Sequence, residues 1–450
     1  MAAETQDRSM AAETQDGSMA AETQDICIVG AGPAGSIAAE RLASAGIRVL
    51  LLDGQQFPRY KCCAAGVLWH DIEDFPEIKP VIETYNHAMA FHSPSLKHEF
   101  SIRSDEHFLL GQTYRARLDD HLVQLAKKSG AEFRQGHLVT GVELLGDRRG
   151  VRLSVRDKMT GSEYLVASRL VIGADGARSI VRKCHPDFTP WNKADLLIAS
   201  ELDVPMGEQK VLDIFGKDRT THVYMYFDNL PGYAWIFTKK ASVSIGMGTM
   251  LEFEGKTYGG KPLAAKFKAY TAYLEQAGLL PAGVADLSKT SYALIPSLSI
   301  KHAVTHGRNA LLAGDAAGAF VSALSGEGIY YSMLSGQFAA RVAAKAIAAG
   351  DFSPQLLADY PRLWRARLEK ELNYQYFAKR YMLEVKRRCE KAVRWGQHDE
   401  TIRGFMSTFF TGIWNIDRKF MARLYCHYVR LKVKDLFGSL GERERKQDYA

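Results

Sequence analysis

The sequence predicts an α/β + β fold: a mostly parallel α/β domain interleaved with an antiparallel β-sheet domain, followed by a helical C-terminal region. Three observations carry this. Residues 25–54 read as an apolar strand, a glycine turn, an Ala-rich helix and a second apolar strand. Two later apolar runs, ASRLVIGADGARSIVR and HGRNALLAGDAAGAF, also enter glycine-rich turns. Residues 190–300 instead alternate with period two (VYMYF, YAWIF, SVSIGMG), as half-buried antiparallel strands do, and from Pro354 onward the chain is helical in character.

At 450 residues the chain is long for one core, so two or three units are expected. Residues 1–24 hold MAAETQD three times, from Met1, Met10 and Met19; short and polar, they are read as a flexible tail. Residues 25–85, 110–185 and 296–350 are assigned to the α/β domain, 86–109 and 186–295 to the β-sheet domain, and 351–450 to the helical region. The formal charge of +7 favours an anionic ligand or membrane surface. The six cysteines are scattered without metal-ligand spacing, so no metal site is expected; with no signal peptide, a reducing cytoplasmic setting follows. No run of about 18 uncharged apolar residues marks a transmembrane helix, and no nucleic-acid partner is expected.

Gly30-Ala31-Gly32-Pro33-Ala34-Gly35 lies between the first strand and helix, where a GxGxxG dinucleotide fingerprint belongs, which makes the α/β domain Rossmann-like. In that pattern Gly30 makes the tight turn, Gly32 lets backbone approach a pyrophosphate, and Gly35 lets helix and strand pack closely. The helix N-terminus adds unpaired N–H groups and about half a positive charge. Asp53, ending the second strand, is placed to accept hydrogen bonds from a ribose. An acidic residue there disfavours a 2′-phosphate, so FAD or NAD is expected before NADP.

Ala174-Asp175-Gly176 and Gly314-Asp315-Ala316-Ala317-Gly318, in this order after GxGxxG, resemble the FAD enzymes similar to aromatic hydroxylases. The resemblance implies FAD as cofactor, with Asp315 at its ribityl–pyrophosphate region. It also implies that the helix opened by Gly326-Glu327-Gly328-Ile329, running to about Ala349, aims its N-terminus at the isoalloxazine. There its dipole stabilises negative charge on reduced flavin. Arg115, four residues before Asp119, resembles that family's R-x-x-x-D helix start, which implies a contact to FAD; the plain alternative is a solvated charge. By the same resemblance Val139 sets its backbone against adenine.

Pro58-Arg59-x-Lys61-x-Cys63 resembles the P-R-x-K-x-C-G-G element of the geranylgeranyl reductase family, and Tyr233-Ala234-Trp235-Ile236-Phe237 its Y-x-W-x-F-P element. Gly314–Gly318 with Ser325-Gly326-Glu327-Gly328-Ile329 is similar to the branch acting on chlorophyll's geranylgeranyl chain. The resemblance covers roughly residues 25–350. Ala64-Ala65 depart from the usual Gly-Gly, Thr238 from the proline after Phe237, and Ala323 from a proline common before the glycine motif.

The resemblance implies saturation of isolated C=C bonds in a polyprenyl chain, by hydride from reduced flavin and protonation of the other carbon, in a dry tunnel. Tyr233, Trp235 and Phe237 then line the substrate site, or are ordinary sheet core. Cys63 is the candidate catalytic thiol, with Arg59 and Lys61 able to lower its pKa, or a small packed hydrophobe. Cys62 is read as passive, a disulfide between neighbours being strained. His70 has the chemistry of an acid, although a lone histidine is more often structural.

The expected partners are a polyprenyl-containing small molecule or lipid and an external electron donor, NADPH or a ferredoxin-like protein, since no second GxGxxG is present. Residues 418–434 hold six basic and no acidic residues at helical spacing, read as a peripheral membrane contact or a helix packed on its own domain. The rival readings are a flavin monooxygenase or halogenase, and a non-catalytic flavin-binding protein.

Overall fold

The computed structural model describes residues 22–146, 150–298, 300–411 and scattered positions between 419 and 433. Most of the repeated tail, 1–21, lies outside the described residues. Glu22–Val29 is a central strand of an eight-stranded sheet, with parallel neighbours Glu163–Gly173 and Val49–Asp53. Glu132–Gln135 and Ala310–Leu312 add parallel strands outside them. Ile26, Cys27, Ile28, Leu50, Leu51 and Leu52 are all fully buried, because the parallel sheet is covered on both faces.

The first strand starts at Glu22, not at Asp25 as the tail boundary predicts. Glu22, Thr23 and Gln24, from the third repeat copy, pair in register with Val166, Ala167 and Ser168. Backbone pairing to the long neighbouring strand does not depend on apolar side chains, and Arg134 Nη2 holds the Glu22 carboxylate at 2.7 Å.

The helix Pro33–Ser44 packs against Arg115–Lys128 and, most extensively, against Ile329–Ala349. That close approach requires Gly336, where a Cβ would come within 2.1 Å of Ala34 O.

The second sheet has seven strands drawn from distant parts of the chain, including Ala88–His92, Glu99–Arg103, Leu196–Pro205, Gly232–Thr238 and Ser242–Met250. It is antiparallel except where Thr221–Met225 runs parallel to Ala88–His92. Helices Glu208–Phe215 and Lys261–Gln276 pack their apolar residues, among them Val211, Phe267 and Tyr270, into the core on one face of it. The C-terminal helices do not stand apart: Cys389 and Val393 of helix Lys386–Gly396 pack on Phe91, Phe100 and Ile102 of this sheet's edge. No helix among the described residues is long and apolar enough to cross a membrane.

Candidate active site

Between the two sheets lies a cavity of about 810 Å³, in the upper part of the ~300–1,000 Å³ range of small-molecule sites. The α/β domain contributes Gly30, Gly32, Ala34, Asp53, Arg115, Val139, Asp175, Gly176, Gly314, Asp315, Gly326, Gly328 and Ile329 to its wall. Tyr233, Trp235 and Phe237 come from the second sheet, and Cys63 from the loop between them. Of the residues singled out in the sequence, Gly35, His70, Asp119 and Thr238 are absent from this wall. A Cβ on Gly35 would sit 1.9 Å from Gly30 O, so this glycine serves packing inside the turn.

The three fingerprint glycines therefore do different work. Gly30 has φ +97° and faces Ala174 O, which a Cβ would approach to 2.4 Å. Gly32 has ordinary extended geometry, and its Cβ position meets only Arg59 Nη2, at 3.6 Å. Its cavity side is open at the N-terminus of the helix Pro33–Ser44, where the unpaired N–H groups gather.

Around that opening sits a buried charge cluster. Asp53 accepts from the N–H of Ala31 at 2.9 Å and from that of Gln55 at 2.8 Å, so it braces the glycine turn as well as facing the cavity. Arg115 donates twice to Asp119, both at 2.8 Å, and Arg59 Nη2 lies 3.0 Å from the same carboxylate. Arg59 Nε and Nη1 are buried with no hydrogen-bond partner. Two unpaired cationic donors beside an open glycine turn suit an anion with several acceptor oxygens, as a pyrophosphate is. The site residues thus fit a dinucleotide cofactor on their own geometry.

The thiol loop joins both halves of the cavity. Cys63 is half-buried, and its sulfur touches the Arg115 guanidinium. Cys62 and Cys63 are both free thiols. Burial, with the Glu201 carboxylate and Cys63 adding to it, pushes the Cys62 thiol up to about 12, which leaves it un-ionised and unreactive. Ala65 has φ +57°, the left-handed conformation that glycine adopts freely and alanine seldom does. Ala64 uses its methyl to pack on Trp235.

On the strand Gly232–Thr238, Tyr233, Trp235 and Phe237 point to the cavity while Ala234 and Ile236 enter the core behind, the alternation of a pleated strand. Gly246 leaves room for the Trp235 indole, which a Cβ there would approach to 2.1 Å. Tyr233 Oη donates to Ser325 O at 2.5 Å, tying this wall to the glycine loop before the helix Ile329–Ala349. Thr238 holds the strand end: its hydroxyl donates to Arg219 O at 2.5 Å and accepts from Asn86 Nδ2 at 2.7 Å.

Asp175 Oδ2 accepts from the Ile180 N–H at 2.6 Å, while Oδ1 has no partner; burial lifts its carboxyl to about 6. Val139, 4% exposed, sits on the strand His137–Leu144 beside a bulge in its pairing with Val151–Asp157. The cavity also takes Lys379 and Leu383 from the C-terminal region and Glu327 from the glycine loop. Lys379 has no local sequence signal, because only tertiary packing brings the turn Lys379–Leu383 here. Arg59 and Asp119 were legible only as neighbours of Cys63 and Arg115, although the Pro-Arg and Arg-x-x-x-Asp spacings mark both.

The family model of the FAD binding domain matches residues 23–70 and 87–370. The chain is 32% identical to geranylgeranyl diphosphate reductase of Rhodobacter capsulatus, over 72% of this chain and 75% of that one. It is 30% identical to digeranylgeranylglycerophospholipid reductase of Methanocaldococcus jannaschii, over 78% and 83%. A geranylgeranyl bacteriochlorophyll reductase-like protein of Thermoplasma acidophilum shares the fold, with a TM-score of 0.72, 22% identity and coverage of 86% of this chain and 96% of that one. A flavin-dependent brominase shares it at a TM-score of 0.64 and 19% identity, over 92% and 100% of the two chains. The glycine turn, the two Asp turns and the arginine-bordered cavity thus have a common origin: this chain belongs to the FAD-binding domain family, within its geranylgeranyl reductases, and is an FAD-dependent oxidoreductase.

Proposed function

We propose that this flavin reductase saturates isolated C=C bonds of a geranylgeranyl or other polyprenyl chain. The carrying observation is that Tyr233, Trp235 and Phe237 face the same cavity as the glycine turn and Cys63. Gly30, Gly32, Ala34, Asp53, Arg59, Arg115, Asp175, Gly176, Asp315 and the loop from Gly326 to Ile329 hold FAD in this reading, with Val139 along its adenine. When bound, reduced FAD supplies a hydride. The aromatic wall orients the chain, excludes water and stabilises partial positive charge on carbon.

Reduced enzyme incubated with geranylgeranyl diphosphate, prenylated lipids, quinones and chlorophyll-type substrates should add about two mass units per alkene (two hydrogens across each double bond). No gain with any prenyl class would sink the reading. Halide incorporation or substrate-dependent oxygen uptake instead would make it a halogenase or monooxygenase. The electron donor in this reading is NADPH or a ferredoxin-like protein, and reduction of the bound flavin by each in turn decides between them.

Cys63→Ala should retain FAD yet slow turnover about 100-fold, the low end of what one proton-transferring group contributes. An unchanged rate would remove the thiol from the mechanism. Part of residues 418–434 lies outside the described residues. Of the described positions, Tyr425, Val429 and Val433 are exposed at helical spacing, while His427 reaches Asp399 at 2.7 Å. We read this face as a peripheral membrane contact, and co-sedimentation with anionic vesicles tests it.

A further inference from the structure

At the start of the helix Ile329–Ala349, three acidic side chains and a histidine are gathered out of water. Glu327 lines the cavity, its side chain is 9% exposed, and its Oε1 has no hydrogen-bond partner. Asp71, on the helix Trp69–Asp74, is 1% exposed, and its carboxyl meets that of Glu327. His70 Nε2 lies 2.8 Å from Glu327 Oε1 and 3.1 Å from Asp71 Oδ1, yet neither ring nitrogen is aligned for a hydrogen bond. The ring is held edge-on to Tyr330, centroids 4.1 Å apart.

Away from the cavity the cluster continues toward the surface. Tyr331 reaches Glu327 on one side, and its hydroxyl donates to Glu371 on the other. Gln375 Nε2 donates to the same hydroxyl at 3.0 Å. Glu371 is 12% exposed, with Arg367, half-exposed, 3.8 Å away. Tyr330 donates to Asp74 at 2.6 Å and accepts from Arg367 at 2.9 Å.

An ionised carboxylate is costly in so dry a place, and burial favours its protonated form. Burial, reinforced by Glu371, lifts the Glu327 carboxyl to about 8, and burial raises Asp71 and Glu371 as well. Contact between the Asp71 and Glu327 carboxyls has the same consequence, since two carboxyls bond to each other only when they share a proton. The chemistry requires such a store. Reducing an alkene breaks one π bond and forms two C–H bonds; the hydride comes from the reduced cofactor, which ends two electrons oxidised, and the proton comes from an acid at the site.

We propose that Glu327 holds and delivers the proton that alkene reduction consumes, and that Tyr331 and Glu371 refill it from solvent. This rests on the prenyl-reductase reading. Glu327 lines the cavity two residues from Ser325, whose carbonyl is bonded to Tyr233 of the aromatic wall. After donation the Tyr331 hydroxyl turns from Glu371 to the Glu327 carboxylate and passes its proton there as it takes one from Glu371, in one concerted shift, because burial makes a free tyrosinate costly. Glu371 then takes a proton from water. A raised carboxyl pKa keeps the acid loaded below about 8 and empties it above, so the rate of proton delivery falls as pH rises through that value.

Two measurements test this on the flavin-loaded protein. The infrared carbonyl stretch of protonated carboxyl groups should be present in wild type at pH 7, weaken as pH is raised through about 8, and lose intensity in Glu327→Gln and in Asp71→Asn. In single turnovers, reduced Glu327→Gln should be oxidised by geranylgeranyl diphosphate at least about 100-fold more slowly than wild type. Glu371→Gln should lower steady-state turnover more than the first turnover. A Glu327→Gln band equal to wild type, a first turnover within twofold, or a stoichiometric transition metal held by wild type and lost in Glu327→Gln would overturn the proposal. If wild type itself is not oxidised by any prenyl substrate, the functional reading fails, while the band still decides whether Glu327 holds a proton. Should Glu327→Gln not load flavin, the wild-type titration and Asp71→Asn decide.

Discussion

Gly32→Val gives a folded protein that purifies without flavin. The substitution is free of strain, because Gly32 has φ −76° and ψ −174°, extended backbone that a residue before proline favours. Its Cβ meets nothing within 4 Å except Arg59 Nη2, the mobile end of a side chain. The isopropyl group therefore projects into the one place where a pyrophosphate has to approach the helix N-terminus. The expected loss in FAD affinity is at least about 1,000-fold, or ~4 kcal/mol, with the melting temperature of the apoprotein unchanged. Flavin absorbance after purification and a thermal melt read both quantities. A yellow, fully loaded variant would remove Gly32 from the cofactor site. Gly30→Val and Gly35→Val serve as contrasts: their side chains strike backbone, so they should lower the apoprotein's stability as well.

Asp119→Ala should be the most destabilising single change around the cavity. The carboxylate is fully buried and is the shared counter-charge of Arg115 and Arg59. Without it, Arg59 keeps only Asp53, whose oxygen is 4.0 Å away, and Arg115 keeps the Cys63 sulfur. Breaking a buried pair by removing one partner costs about 3–5 kcal/mol, because the other charge stays buried. A bound pyrophosphate returns two negative charges to the same place, so the loss should be smaller in the FAD-loaded protein than in the apoprotein. Melting each variant with and without FAD measures this. An equal loss in both states would mean that the two guanidinium groups do not face the cofactor.

Arg59 shows how far local reading reaches. In the sequence it stands two residues before Lys61 and four before Cys63, which makes it look like a modulator of the thiol. Folded, it lies across Gly32 and Asp119 instead, and Arg115 is the cation at the Cys63 sulfur. The glycine turn and Asp53 were readable because a strand, a turn, a helix and a strand follow one another without interruption. The aromatic wall was readable as a strand but not as a wall. Alternation says that Tyr233, Trp235 and Phe237 share a face, and leaves open whether that face meets a core or a cavity.

Ala65 and Thr238 depart from the pattern of the resembling family. The backbone at Ala65 is left-handed, and Thr238 replaces a rigid ring with a hydroxyl bonded to Asn86 and Arg219. Both are features that only the folded chain reveals.

What this sequence determined by itself was the dinucleotide turn, the alternation of the second sheet and the pattern that places it among FAD-dependent reductases. These are local periodicities, set by the geometry of a strand or a helix turn over a few residues. The tertiary structure decided which charges are paired, that Lys379 and Leu383 close the cavity, and that Asp71, Glu327 and Glu371 share one dry place. Those facts depend on which distant segments exclude water from one another, and burial of an ionisable group is a property of the packed whole.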